Sequence, residues 1–139
     1  MIQEDYINVV NAKTTQNQNN MLNANKKGKR FELQVAKYLS KEFNNIKISR
    51  TPNSGGLSLK GDILCTDDNS ILSKFNWECK NQEKLNIWKA LEQSRNDCIG
   101  SHKEPLVVFT KNFEKDYLAC ELETFVQILL ELQQLRDGK

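Results

Sequence analysis

From Gly28 onward the apolar positions of the chain fall into two periods. In "KRFELQVAKYLSKEF" Phe31, Val35, Leu39 and Phe43 recur every fourth residue, which predicts one apolar face of a helix. "IKISR" then alternates as a short strand. "TPNSGGLSLK" reads as a loop, because Pro, Asn, Ser and paired Gly are turn chemistry. "GDILCT" and "KFNWECK" read as strands, with "DDNS" as the turn signal between them. "EKLNIWKALEQSRNDC" carries a helical stripe that ends near Gly100, and its Trp88, at helical spacing from Leu85 and Leu91, reads as core. "PLVVFT" predicts a buried strand, "DYLAC" a shorter one, and "ELETFVQILLELQQL" a closing helix.

The resulting order is α-β-β-β-α-β-β-α. Helices set between runs of strands predict an α/β fold, a mixed central sheet flanked by helices. Ahead of this core, residues 11–25 hold eight Asn or Gln among fifteen, with little to bury. The pattern predicts a polar, mobile arm over residues 1–25, with a short helix at "EDYINVV", and one domain over 26–139. A chain of 139 residues can bury a core without disulfide or metal staples.

Charge sharpens the picture. The net charge is only +2, but residues 26–60 hold nine Lys or Arg against Glu32 and Glu42. A basic block next to an acidic centre suits a polyanion held over a metal ion; a solvated helix face would look the same. The four cysteines, Cys65, Cys79, Cys98 and Cys120, are spaced 14, 19 and 22 residues apart, which argues against a structural zinc site. His102 is the single histidine and falls in a loop, so the sequence gives little support to histidine-based catalysis. No apolar run approaches the length of a membrane span and the N-terminus lacks a signal-peptide pattern, so the chain reads as intracellular.

The chemistry concentrates in "GDILCTDDNSILSKFNWECKNQ", residues 61 to 82. Side chains on a strand alternate between faces, so Glu78 and Lys80 share one face while Phe75, Trp77 and Cys79 share the other. If the two strands pair, Asp62 stands beside Glu78. Neighbouring carboxylates repel unless a positive charge lies between them. A hard cation such as Mg²⁺, which takes oxygen ligands and keeps its own waters, removes that repulsion. Lys80 would then reach the attacking water or the phosphate, and the parts together suit phosphodiester hydrolysis. A solvated strand edge carrying a cross-strand pair is the plainer alternative.

"GD" followed by "ECK" resembles the PD-(D/E)-x-K nuclease superfamily, with Gly61 in the place of the proline. The longer stretch "KGKRFELQVAKYLSKEFNNIKISRTPNSGGLSLKGDI…WECK" is similar to archaeal Holliday junction resolvases and small phage nucleases. The resemblance implies a restriction-endonuclease-like core and a metal-dependent endonuclease of DNA. It implies Asp62 and Glu78 as metal-binding acids, with the Cys79 backbone carbonyl as a further ligand and Mg²⁺, replaceable by Mn²⁺, as cofactor. Lys80 takes the place of the catalytic lysine, and Glu32 that of the first-helix glutamate. Ser54 lies in the loop where resolvases carry a serine that matters for cleavage, although Ser58 fits the longer loop of this chain equally.

For nucleic-acid binding the expected set is Lys27, Lys29, Arg30, Arg50, Asn53, Lys60 and Gln93, where Gln93 also reads as an ordinary surface residue. The resolvase resemblance points to branched DNA and a homodimer. The final helix is apolar on more than one face, and "PLVVFT" reads as a strand near a sheet edge, so both are candidate interface surface. A structure-independent endonuclease, an inert nucleic-acid-binding module and a small interaction protein remain as alternatives.

Overall fold

The computed structural model describes residues 2–52 and 59–138. Helix α1 (Ile2–Glu42) leads into strand β1 (Ile48–Arg50) and strand β2 (Ile63–Cys65). Strand β3 (Phe75–Asn81), helix α2 (Ile87–Asp97) and strand β4 (Glu104–Thr110) follow, then strand β5 (Tyr117–Cys120) and helix α3 (Leu122–Asp137). The strands form one sheet in the order β1-β2-β3-β4-β5, in which only β3 and β4 run parallel. Parallel neighbours need a crossover, and α2 supplies it. The predicted succession of elements and the mixed sheet are those of the protein.

The core lies between α1 and one face of the sheet. Phe31, Val35, Ala36 and Leu39 of α1 pack against Ile63, Cys65, Trp77, Cys79, Leu106 and Val108. The stripe at spacing four therefore does what the pattern predicts, except that Phe43 lies beyond the end of α1 and is exposed. Trp77 donates its indole N–H to the Leu72 carbonyl at 3.0 Å, so its one polar group is satisfied inside the core.

The opposite face of β3 is buried as well. Asn76 and Glu78 are each 2% exposed, beneath α2. Only small residues allow so close an approach: α2 turns Ala90 and Ser94 toward the sheet. The Ser94 hydroxyl lies 3.0 Å from Asn76 Oδ1 and 3.1 Å from the Asn76 carbonyl, so the buried amide is held in place. The buried face of α2 thus runs through Ala90 and Ser94, with Ile87 and Leu91 half-buried beside them. Trp88, read from the sequence as core, lies off that face and is 77% exposed.

Two further readings are corrected. The polar stretch 11–25 is part of a single helix from Ile2 to Glu42. It contains no proline, and a helix already anchored by Phe31 and Val35 extends without a new nucleation step. "DDNS" is the turn the sequence signals: the Ser70 N–H donates to the Asp67 carbonyl at 3.0 Å, and the turn leads into a short 3₁₀ helix, Ile71–Lys74, capped by the Ser70 hydroxyl on the Leu72 N–H. "PLVVFT" is not an edge: β4 is hydrogen-bonded to β3 on one side and β5 on the other, and Val107 is fully buried. Its unbroken apolar run reflects burial on both faces.

Candidate active site

The pairing of β2 with β3 sets Ile63 opposite Trp77. One step along this antiparallel register, Asp62 stands opposite Glu78. The Asp62 N–H donates to the Trp77 carbonyl at 2.7 Å, and the Cys79 N–H donates to the Asp62 carboxylate at 2.7 Å. The carboxylate thus takes a ladder donor of β3 at the point where β2 begins. The N–H and C=O of one strand residue point to the same edge. The Cys79 carbonyl is therefore directed toward Asp62, while its thiol lies in the core.

Gly61 makes this junction possible. Its φ is +84°, and an added Cβ would lie 3.1 Å from Asn76 Nδ2 and 3.3 Å from the Trp77 carbonyl. Proline, fixed near φ −65°, cannot adopt this backbone. The departure from the usual proline is thus a different way of bringing the aspartate to the same place.

Lys80 Nζ lies 3.0 Å from Glu78 Oε1 and 3.1 Å from Gln93 Oε1, so α2 fixes the lysine from above. Glu32, on α1, holds the Arg50 guanidinium at 2.7 Å. All of these groups border one cleft of about 890 Å³, along with Lys29, Thr51, Asn81 and Gln82. The structure therefore brings Glu32, Arg50, Asp62, Glu78, Cys79, Lys80, Gln93 and Lys29 together. Lys27 is instead paired with Glu83 at 3.5 Å, and neither Arg30 nor Lys60, both exposed, borders the cleft. Asn53, Ser54 and Ser58 lie outside the described residues.

Sequence reasoning missed Thr51 and Asn81. Each has a buried side-chain oxygen with no hydrogen-bond partner among the described residues, and both line the cleft. Buried polar atoms are normally paired, so oxygens left without partners beside a cleft mark where a ligand or water is accommodated. Their adjacency to Arg50 and to Lys80 was the available signal.

Burial dominates the electrostatics. It pushes the Glu78 carboxyl up to about 7, with Asp62 adding repulsion and Lys80 opposing both. Burial also raises Asp62, against the Cys79 N–H bond that stabilises its charged form. Two acids strained toward protonation, with a backbone carbonyl beside them, form an all-oxygen donor set. That set fits a hard divalent cation that keeps its own waters. Among the described residues no three His, Cys, Asp or Glu side chains converge as a closed metal cage. Two carboxylates and a carbonyl leave coordination positions for water and phosphate.

A sheet of this topology, with an acid pair and a lysine at the β2–β3 edge, is a restriction-endonuclease-like nuclease core. Residues 23–136 match the family model described as "Phage putative PDDEXK endonuclease", and the chain belongs to that family. Neither a curated protein nor a solved structure matches the chain. Nucleases of this superfamily generally use divalent metals. No described helix is long and apolar enough to cross a membrane.

Two predictions follow from this geometry. Gly61→Ala combines a left-handed backbone with a close contact, so it should cost about 1–2 kcal/mol in urea unfolding. It should also lower cleavage by displacing Asp62, and Gly61→Pro should be worse on both counts. The second concerns pH. The folded Glu78 carboxyl holds its proton to about 7, above its ordinary 4.5, so the metal-free folded state binds more protons than the unfolded chain. Stability from this group is complete below 4.5 and declines as pH rises through about 7. Glu78→Gln should therefore raise the metal-free melting temperature at pH 8 by several degrees, and hardly at all at pH 4. Thermal melts of both proteins across that range measure it.

Proposed function

We propose that this chain is a Mg²⁺-dependent endonuclease, with Mn²⁺ able to replace Mg²⁺, that hydrolyses phosphodiester bonds of branched DNA inside the cell. A four-way junction is the best candidate substrate, and a homodimer the working form. The observation that carries the reading is Asp62 set opposite Glu78 by strand register, with Lys80 next on the same face. Family membership supports the nuclease reading, and the basic block over residues 26–60 supports a polyanionic substrate.

The donor set assigns each residue a task. Asp62, Glu78 and the Cys79 carbonyl would hold the cation, which when bound polarises phosphate and lowers the pKa of its water. Lys80, steadied by Glu78 and Gln93, donates to the attacking water or to a non-bridging phosphate oxygen. Lys29 and Arg50 on the cleft wall meet the neighbouring phosphates. Glu32 holds Arg50 by its Nε, which keeps the guanidinium turned along the cleft. The buried oxygens of Thr51 and Asn81 receive donors from ordered water around the substrate.

Asp62→Ala and Glu78→Ala should each lower cleavage at least about a thousandfold, since several kcal/mol of metal-borne stabilisation is lost. DNA binding and folding should persist. Lys80→Ala should keep metal binding and lose about a hundredfold or more in rate. Lys80→Arg should recover little, because a planar fork is no substitute for a compact ammonium. The assay is a panel of labelled linear, nicked, flapped and four-way DNA with Mg²⁺ or Mn²⁺. Symmetric cuts across four-way DNA are expected. Equal cutting of linear duplex would point to a structure-independent endonuclease, and an active Glu78→Ala protein would sink the nuclease reading.

A further inference from the structure

Helix α3 is amphipathic in the reverse sense. At 100° per residue, its polar side chains Glu123, Gln127, Glu131 and Thr124 share one side. That is the side turned to the body of the protein. Thr124 is the one buried residue of the helix, and its hydroxyl donates to Glu104 Oε2 at 3.1 Å. Glu123, Gln127 and Glu131 border a cleft of about 530 Å³ against the body, across from His102 and Lys74. The apolar positions cover the remaining arc of roughly 220°. This arc runs from Leu135 through Leu132, Phe125 and Leu129 to Leu130, each 45–75% exposed; Ile128, at its margin, borders the cleft against the body.

We propose that this arc is the dimer contact, covered by α3 of a second copy of the chain packed antiparallel across Leu129. The inference deepens the dimeric reading above and rests on it, but not on any catalytic residue. The exposed apolar surface of α3 is on the order of 700 Å² per copy, close to what one side of a standard stable interface buries. The patch is also far too large to be left to solvent on a monomer of this size.

Charge selects the occupant and the direction. Glu121, Glu123, Glu131 and Asp137 outnumber Arg136 on and beside the helix. A DNA backbone or an anionic membrane surface would be repelled, and helices that lie on membranes carry Lys and Arg instead. A parallel pair would set Arg136 against Arg136. In the antiparallel pair, residue numbers facing each other sum to 258, so Leu129 meets Leu129 and Arg136 reaches Leu122, beside Glu121. This arrangement separates the two Arg136 side chains.

Sedimentation of the full chain from 1 to 100 µM, with wild type, Leu129→Glu and Asp62→Asn, tests the proposal. Wild type and Asp62→Asn should be dimers at tens of micromolar. Leu129→Glu should dissociate at least a hundredfold more readily while keeping its circular dichroism, because Leu129 is 45% exposed within one copy. Spin labels at Leu135→Cys, with Cys98→Ser and Cys120→Ser, should lie roughly 20 Å apart, given six residues of rise on either side of the centre. A monomeric wild type at 100 µM, a Leu129→Glu protein that stays dimeric, or labels within about 12 Å would each overturn it. Wild type that pelleted as a monomer with anionic vesicles would do the same. Asp62→Asn separates the outcomes: a catalytically dead dimer upholds α3 whatever becomes of the nuclease reading.

Discussion

The hydrogen bond from the Cys79 N–H to the Asp62 carboxylate is the join on which the site depends. Up to Trp77 the β2–β3 pair is held by backbone groups, and beyond it by this side chain. The exchange fixes the aspartate where β2 begins, between β1 and β3, and directs the Cys79 carbonyl to the same point. It also stabilises the charged form of Asp62 against the burial that opposes it. Gly61 is the backbone condition for that bond, since a chain entering with φ +84° delivers the carboxylate at this angle. The adjacent Asn76, clamped by Ser94, occupies the space that a side chain at position 61 would need.

Much of this was legible in the sequence, for reasons that differ by residue. Strand alternation is rigid, so Glu78 and Lys80 had to share a face once β3 was identified. Helical spacing in α1 selected Phe31, Val35 and Leu39 because no competing period was present. What alternation could not reveal was that the polar face of β3 is also covered. Asn76 and Glu78 look like solvated positions, and only the small residues Ala90 and Ser94, which read as unremarkable in a helix, carried the hint.

The misreadings share a cause. Hydropathy was read as a guide to burial and to order, and at Trp88 and in the Asn- and Gln-rich stretch it misleads. Trp88 is large and apolar but stands off the narrow face that α2 can afford to bury against the sheet. The Asn- and Gln-rich stretch of α1 lacks anything to bury, yet it propagates from an anchored helix and needs no core of its own. In α3 the apolar excess was visible, but its direction was not, because a helix with two apolar sides gives periodicity no preferred face. Thr124 decides it: a single polar contact with Glu104 orients the helix.

The cost and the use of the site are the same quantity. Holding Glu78 and Asp62 together under α2 raises both carboxyls, so the fold carries strain that a protonated or cation-bound site relieves. That strain is tolerable because the strand bearing it is paired to β4 along all seven residues and its other face is anchored in the core by Trp77 and Cys79. A looser strand would relax by turning Glu78 outward into water. The central position of β3 in the sheet is thus what keeps the two acids side by side. Lys29 and Arg50 border the same cleft and set positive charge against the acid pair.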